Sequence, residues 1–165
     1  MSEDIKEFKI PEILESFKIA DGVYKRQQVD AAVKLKNEIT PYLINILEKV
    51  LADPYKYSED GNFFDHIYAF ILLGHFKETR AHQVIVDLFS LPDKIPDQMF
   101  GDMITEHLPG VLFNTCVGSF ESIKALILNK NANPYCRNSA CRAMAYGVIE
   151  GYLPRKEVLT FFGTF

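Results

Sequence analysis

Asp102 and Glu106 stand four residues apart, so a helix would place both carboxylates on one face, with His107 next in sequence and His66 on an earlier helix. Two carboxylates and an imidazole are suitable ligands for zinc, manganese or iron, and they can also carry acid–base chemistry. His107, however, falls about 100° round the helix from Glu106, toward the apolar side. No HExxH pattern and no second pair of spaced ligands accompanies the group. The favoured reading is a solvated carboxylate face or ion pairs with an adjacent helix. A metal-dependent enzyme or metal-binding protein using Asp102, Glu106 and His66 or His107 is the alternative. His66 lies one turn from Phe63 and Phe70, which predicts a hydrogen-bonded, partly buried ring. His75 and His82, at a turn and on the helix after it, are expected to be exposed.

Arg137, Asn138 and Arg142 form the second polar group. Arg142 lies opposite a stripe of Ala140, Met144 and Val148, and an arginine on a concave helical surface suits carboxylates or acidic peptides through paired hydrogen bonds. A solvated or local ion pair is the plainer reading of the same residues. Nucleophilic catalysis is disfavoured: no glycine-flanked serine elbow occurs, and Cys116, Cys136 and Cys141 lie among helix-packing residues. Their odd number and the four-residue gap between the last two do not match paired zinc thiolates, so they are read as free, largely buried thiols. The glycines sit singly at expected helix ends rather than in a phosphate-binding loop. No cofactor is expected.

These residues sit on a pattern of helices. Pro11, Pro41, Pro134 and Pro154 each mark an expected helix start, because a proline in the first turn removes an N–H that would have no intrahelical partner. Thr40 and Asn133 are expected caps. The apolar spacing predicts helices from Pro11, stopped at Asp21-Gly22, then over 25–36 with Val29, Ala32 and Val33 inward, and over 41–52, the last two forming a first hairpin. Residues 55–62 read as a loop. The block 63–92 is the best-formed hairpin: its first helix is apolar nearly all round, the turn is Gly74-His75-Phe76-Lys77-Glu78, and the second helix is capped by Thr79 with Ala81, Val84, Ile85, Leu88 and Phe89 inside. A further helix carrying Phe100, Met103, Ile104 and Leu108 should kink or break at Pro109. Ser119 is expected to cap a helix with Ile123, Leu126 and Ile127 inside. A long helix over 134–150 stops at Gly151, and a last one, started by Pro154, carries Val158, Leu159, Phe161 and Phe162. Setting Leu73-Gly74-His75-Phe76 against Val117-Gly118-Ser119-Phe120 gives a repeat of about 30 to 45 residues. The fold class expected is all-α, an α-α superhelix of stacked helical hairpins of HEAT/ARM type, with residues 1–165 as one domain.

The 165 residues, 48% apolar, are enough for a continuous core. A net charge of -4 with scattered basic residues argues against nucleic acid as a partner. The start, MSEDIKEFKI, has no apolar run of signal-peptide length, and no apolar stretch is long enough to span a bilayer, so a cytoplasmic protein without membrane association is expected.

Several stretches together carry a family likeness: Asp21-Gly22-Val23-Tyr24, Glu38-Ile39-Thr40-Pro41 with Leu43, His66-Ile67-Tyr68-Ala69, Phe76-Lys77-Glu78-Thr79-Arg80, Leu88-Phe89-Ser90-Leu91-Pro92, and Gly101-Asp102-Met103-Ile104-Thr105-Glu106. With Ile123-Lys124-Ala125-Leu126 and Leu153-Pro154-Arg155 they span nearly the whole chain, which resembles the bacterial family called domain of unknown function 1186. That resemblance implies a HEAT-like helical domain and no assigned activity. Many members continue into a cysteine-rich zinc motif of the SEC-C type, which nothing here matches. The apolar stop at Phe165 is read as a shorter member or a fragment lacking that tail, and Pro109 departs from the family's uninterrupted helix. The functional expectation is a non-catalytic binding or scaffold module whose helical-repeat groove engages a protein or peptide partner, with His66, Asp102, Glu106, Arg137, Asn138 and Arg142 as candidate contact residues.

Overall fold

The computed structural model describes residues 7–92 and 94–164; the start of the charged N-terminal segment and the apolar end at Phe165 lie outside the described residues. The described residues form an all-α fold, with a single isolated bridge between Pro92 and Ala132. In chain order the helices are α1 (Ile10–Lys18), α2 (Arg26–Lys34), α3 (Lys36–Ala52), α4 (Pro54–Glu59), α5 (Asp65–His75), α6 (His82–Phe89, led by a 3₁₀ turn at Thr79–Ala81), α7 (Ile95–Phe100), α8 (Met103–Glu106), α9 (Leu108–Thr115), α10 (Glu121–Leu128), α11 (Pro134–Ile149) and α12 (Arg155–Phe162).

One layer is formed by α3, α5, α9 and α11, each packed on the next; α6 and α10 lie over it, α6 against α3 and α9, and α10 against α6 and α11. This is the packing of stacked helix-turn-helix units, in which each unit buries its apolar faces on its neighbours. Phe70, Phe89 and Phe100 make the aromatic centre, with ring centroids 4.6–5.5 Å apart. Rings at this spacing in tilted and edge-on arrangements add attraction beyond their buried area.

Several helix boundaries differ from the sequence expectation. α3 begins at Lys36, and Pro41 lies inside it. Thr40 is therefore no cap: it is buried and its Oγ1 donates to the Lys36 carbonyl at 2.6 Å. α2 and α3 are separated by Leu35 alone, so they are not two arms of a looped hairpin, and Val33 is exposed rather than inward. Part of the expected loop over 55–62 is α4, because Asp53 accepts from Lys56 N–H and Pro54 occupies the first turn. Those are start signals that also read as a stop for α3. The cap before α6 is Glu78, whose side chain accepts from Arg80 N–H, not Thr79. The α8–α9 break comes at His107, and Pro109 sits in the first turn of α9, where its missing N–H is harmless. Ser119 does not cap α10. Leu159 is exposed.

The proposed match of Gly74 with Gly118 also fails. Gly74 lies within α5, and the chain reverses at Lys77, which takes φ 54°. Lys77 N–H bonds to Gly74 O and Glu78 N–H to Leu73 O, the pairing that closes a helix end. Gly151 closes α11 in the same way, with φ 79° and bonds from Gly151 to Val148 and from Tyr152 to Gly147. Lys77 and Gly151 thus share a closing bond pattern, and Val117, after α9, also takes the left-handed conformation with φ 53°.

Candidate functional site

Asp102 stands at the head of α8, exposed, with its carbonyl accepting from Thr105 and Glu106 N–H. Glu106 and His107 are also exposed, with the imidazole Nε2 3.9 Å from a Glu106 carboxylate oxygen. His66 is directed elsewhere: it is 2% exposed, and its Nε2 lies 2.8 Å from the Met99 carbonyl of α7. Among the described residues no group of three or more His, Cys, Asp or Glu side chains is arranged to hold a metal ion. Cys116 and Cys136 are buried and Cys141 half-buried, all three free thiols. Burial raises each thiol above its ordinary range, Cys136 to about 12, so the thiolate needed for a nucleophile is suppressed.

The arginines on α11 reach carbonyls at the ends of neighbouring helices. Arg137 Nε donates to Ile127 O of α10 at 2.8 Å, and Arg142 Nη1 donates to Thr105 O of α8 at 2.6 Å. Between them Ser139 Oγ donates to Ile104 O at 2.6 Å, and Asn138 is exposed. The last carbonyls of a helix have no intrahelical donor, and a cation is favourable beside them. The same device recurs along the stack. Lys36 Nζ donates to Phe76 O at the end of α5, Asn129 Nδ2 to Ser90 O at the end of α6, and His66 Nε2 to Met99 O in the last turn of α7.

Sequence reasoning missed His82. It is half-buried, with Nδ1 2.8 Å from Thr115 Oγ1 and Nε2 2.7 Å from Ser122 Oγ. Thr115 Oγ1 donates to Val111 O, so it accepts from Nδ1–H, and Ser122 then donates to the bare Nε2. The ring thus ties α6 to α9 and α10. Burial holds its pKa below the ordinary histidine value. The available signal was spacing: Thr115 and Ser122 follow His82 by 33 and 40 residues, about one repeat.

Two concave features adjoin at the N-terminal part of the stack, sharing Gly61 and Phe64. One is a cleft of about 280 Å³ between the 57–67 region and α7, walled by Tyr57, Phe63, Phe64, Met99 and Phe100 with His66 in its lining. The other, about 380 Å³, lies beside the α1–α2 connection and is bordered by Ile19, Val23, Tyr24, Phe64 and Tyr68. Its floor is ordered: Tyr68 stacks on Phe17 at 4.3 Å and 7°, accepts a hydrogen bond from Lys25 N–H at 3.2 Å, and meets Phe64 edge-on at 5.8 Å. Its rim is apolar and open, with Ile19, Val23 and Tyr24 between 54% and 65% exposed.

A family model described as "Protein of unknown function (DUF1186)" matches residues 8–165. An uncharacterized protein of Chlamydia muridarum (strain MoPn / Nigg) is 35% identical over 155 residues, 94% of this chain and 62% of that protein. One of Chlamydia trachomatis serovar D is 34% identical over 155 residues, again 94% of this chain and 61% of the relative. The chain thus spans less than two thirds of the length of these curated relatives. No solved structure matches it. Among the described residues no helix is long and apolar enough to cross a membrane.

Proposed function

Because the chain belongs to the DUF1186 family, which brings no activity with it, we propose from the geometry that it is a non-catalytic binding module, a single HEAT-like domain working in the cytoplasm on a protein or peptide partner. The observation that carries this is the open apolar rim of Ile19, Val23, Tyr24 and Phe64 over the stacked Tyr68–Phe17 pair. Apolar and aromatic side chains grouped around a depression characterise the centre of a protein interface, and the ordered floor lowers the entropy cost of binding. The charges adjacent in sequence to the rim are paired, Lys25 with Asp21 and Lys18 with Glu15, a mixed-sign set unsuited to a phosphate backbone. The arginines of α11 each give one donor to a helix-end carbonyl, and this reading therefore puts the first partner contact at the N-terminal end of the stack rather than on α11.

The test is site-specific photocrosslinking in the organism of origin, with the probe replacing Val23 or, as control, the exposed Lys130. One discrete protein adduct from position 23, absent from position 130 and lost when Tyr24→Ser is added, supports the reading. Identical patterns from both positions, or an adduct unaffected by Tyr24→Ser with the far-UV spectrum unchanged, would refute it.

A further inference from the structure

His82, Ser122 and Thr115 form a hydrogen-bonded row where α6, α10 and α9 meet, away from both depressions. Its polarity is fixed from the buried end. Thr115 Oγ1 donates to Val111 O at 2.9 Å and accepts from His82 Nδ1–H at 2.8 Å, which leaves Nε2 bare; Ser122 Oγ–H donates to it at 2.7 Å. A serine hydroxyl directed at an imidazole whose other nitrogen is held by a third side chain is the arrangement of an activated nucleophile. The one proton of Ser122 Oγ is engaged, and its lone pairs face no donor in the row. The pair reaches the surface: His82 and Ser122 are half-buried, next to exposed Gln83 and Glu121, with exposed Ala125 one turn on from the serine. Ser122 is also the second residue of α10, whose first ladder bond runs from Lys124 N–H to Phe120 O. The N–H groups of Ser122 and Ile123 precede that bond and have no acceptor inside the helix, which suits them to negative charge developing on an attacked carbonyl.

We propose that Ser122 is a self-acylating residue, whose Oγ takes a small acyl group from an activated ester with His82 as general base. As the bond from Oγ to the carbonyl carbon forms, the hydroxyl proton passes to Nε2. As the bond from that carbon to the leaving oxygen breaks, the departing group keeps the electron pair and takes the proton from Nε2, so the imidazole ends neutral. The residue behind the imidazole decides how far this chemistry goes. Thr115 is a neutral hydroxyl, and in serine proteases replacing the carboxylate at that place by a neutral group costs about 10⁴ in rate. The imidazolium is poorly stabilised, which restricts Ser122 to esters with good leaving groups and makes the acyl-serine long-lived. The outcome is one modification rather than turnover, which goes beyond the binding role and does not depend on it. Half-burial of both partners selects a small group such as acetyl.

The experiment treats the folded chain with p-nitrophenyl acetate and follows each acetylated peptide by mass spectrometry, with the exposed Lys130 and Lys156 as internal references. Ser122 should take up one acetyl group. Its rate should be level above about pH 6.5 and fall only below it, because the neutral ring is the base and burial holds His82 below its ordinary value, whereas lysine acetylation climbs with pH over the same range. His82→Gln should lower acetylation of Ser122 at least about a hundredfold and leave the lysines unchanged. Where that variant loses the far-UV spectrum of the parent, the wild-type pH profile is the deciding readout. No acetyl on Ser122 while the lysines are modified, an unchanged Ser122 rate in folded His82→Gln, or a Ser122 rate that climbs with pH as the lysines' does would overturn the proposal.

Discussion

Gly74→Ala should destabilise the protein although alanine is the better helix former. The residue lies inside α5, where glycine is disfavoured by about 0.8–1.0 kcal/mol relative to alanine. It faces α9, and a Cβ built there would stand 2.5 Å from Val111 Cγ2, 3.1 Å from Cγ1 and 3.2 Å from Cβ. Rotating the valine exchanges one clash for another, because its Cβ is itself within the tight range. Overpacking of this kind costs about 1–3 kcal/mol, and the near-backbone contact puts this case in the upper half. The net loss is about 1–2 kcal/mol, which lowers Tm by roughly 2–8 °C for a domain of this size. Val111→Ala alone should cost about 1.5–2.5 kcal/mol through lost burial and the space it leaves. The double variant should be no less stable than Val111→Ala alone, a coupling of about 2 kcal/mol. Urea unfolding followed by circular dichroism gives all four corners of the cycle. A Gly74→Ala variant as stable as the parent, or strict additivity in the double variant, would show that α5 and α9 do not approach here.

Three further outcomes follow from the buried polar groups. Burial lowers the pKa of both His66 and His82, so below the ordinary histidine value the unfolded chain binds more protons and stability should fall as pH drops below about 6.5; His66→Gln with His82→Asn should flatten that part of the urea-midpoint profile. Cys136, fully buried and raised to about 12, should react with a thiol reagent at pH 8 only at the rate of unfolding, while half-buried Cys141 reacts first, as peptide mapping would reveal. Ser139→Ala removes the buried donor to Ile104 O and should cost about 1–2 kcal/mol in urea unfolding, whereas Asn138→Ala, on the exposed neighbour, should fall within about 0.5 kcal/mol of the parent.

The elements legible in the sequence are those fixed by chemistry within a few residues. Asn133-Pro134 starts α11 as expected, with Asn133 accepting from Tyr135 N–H at 2.8 Å, and Gly151 ends it in the left-handed conformation. The inward stripes of α6 and α10 are likewise buried as spaced. Misreadings occur where one signal has two local meanings. Asp53-Pro54 both ends α3 and opens α4, and Pro41 looks like a start although Thr40 and the preceding turn already continue the helix from Lys36. Gly74 misleads differently: it resembles a turn residue, but its requirement comes from Val111, thirty-seven positions on, while the true left-handed turn residue is a lysine.

The candidate site was harder to read for a reason rooted in the shortness of these helices. A helix of four to eight residues leaves a large share of its carbonyls without intrahelical donors, so a stack of short helices must draw donors from elsewhere. His66 supplies one to α7, Lys36 to α5, Asn129 to α6, and Arg137, Ser139 and Arg142 on the sixteen-residue α11 supply α10 and α8. Apart from the Arg137 bond, the partners are 33 to 40 residues apart, close to the repeat spacing. Polar residues that looked like a binding constellation thus include the fasteners between repeats. A polar side chain one repeat away from a helix end is therefore first a candidate donor to that end. Among the described residues the buried side-chain atoms that the stack leaves without a hydrogen-bond partner are Asp65 Oδ1 and His66 Nδ1, neighbours at the start of α5.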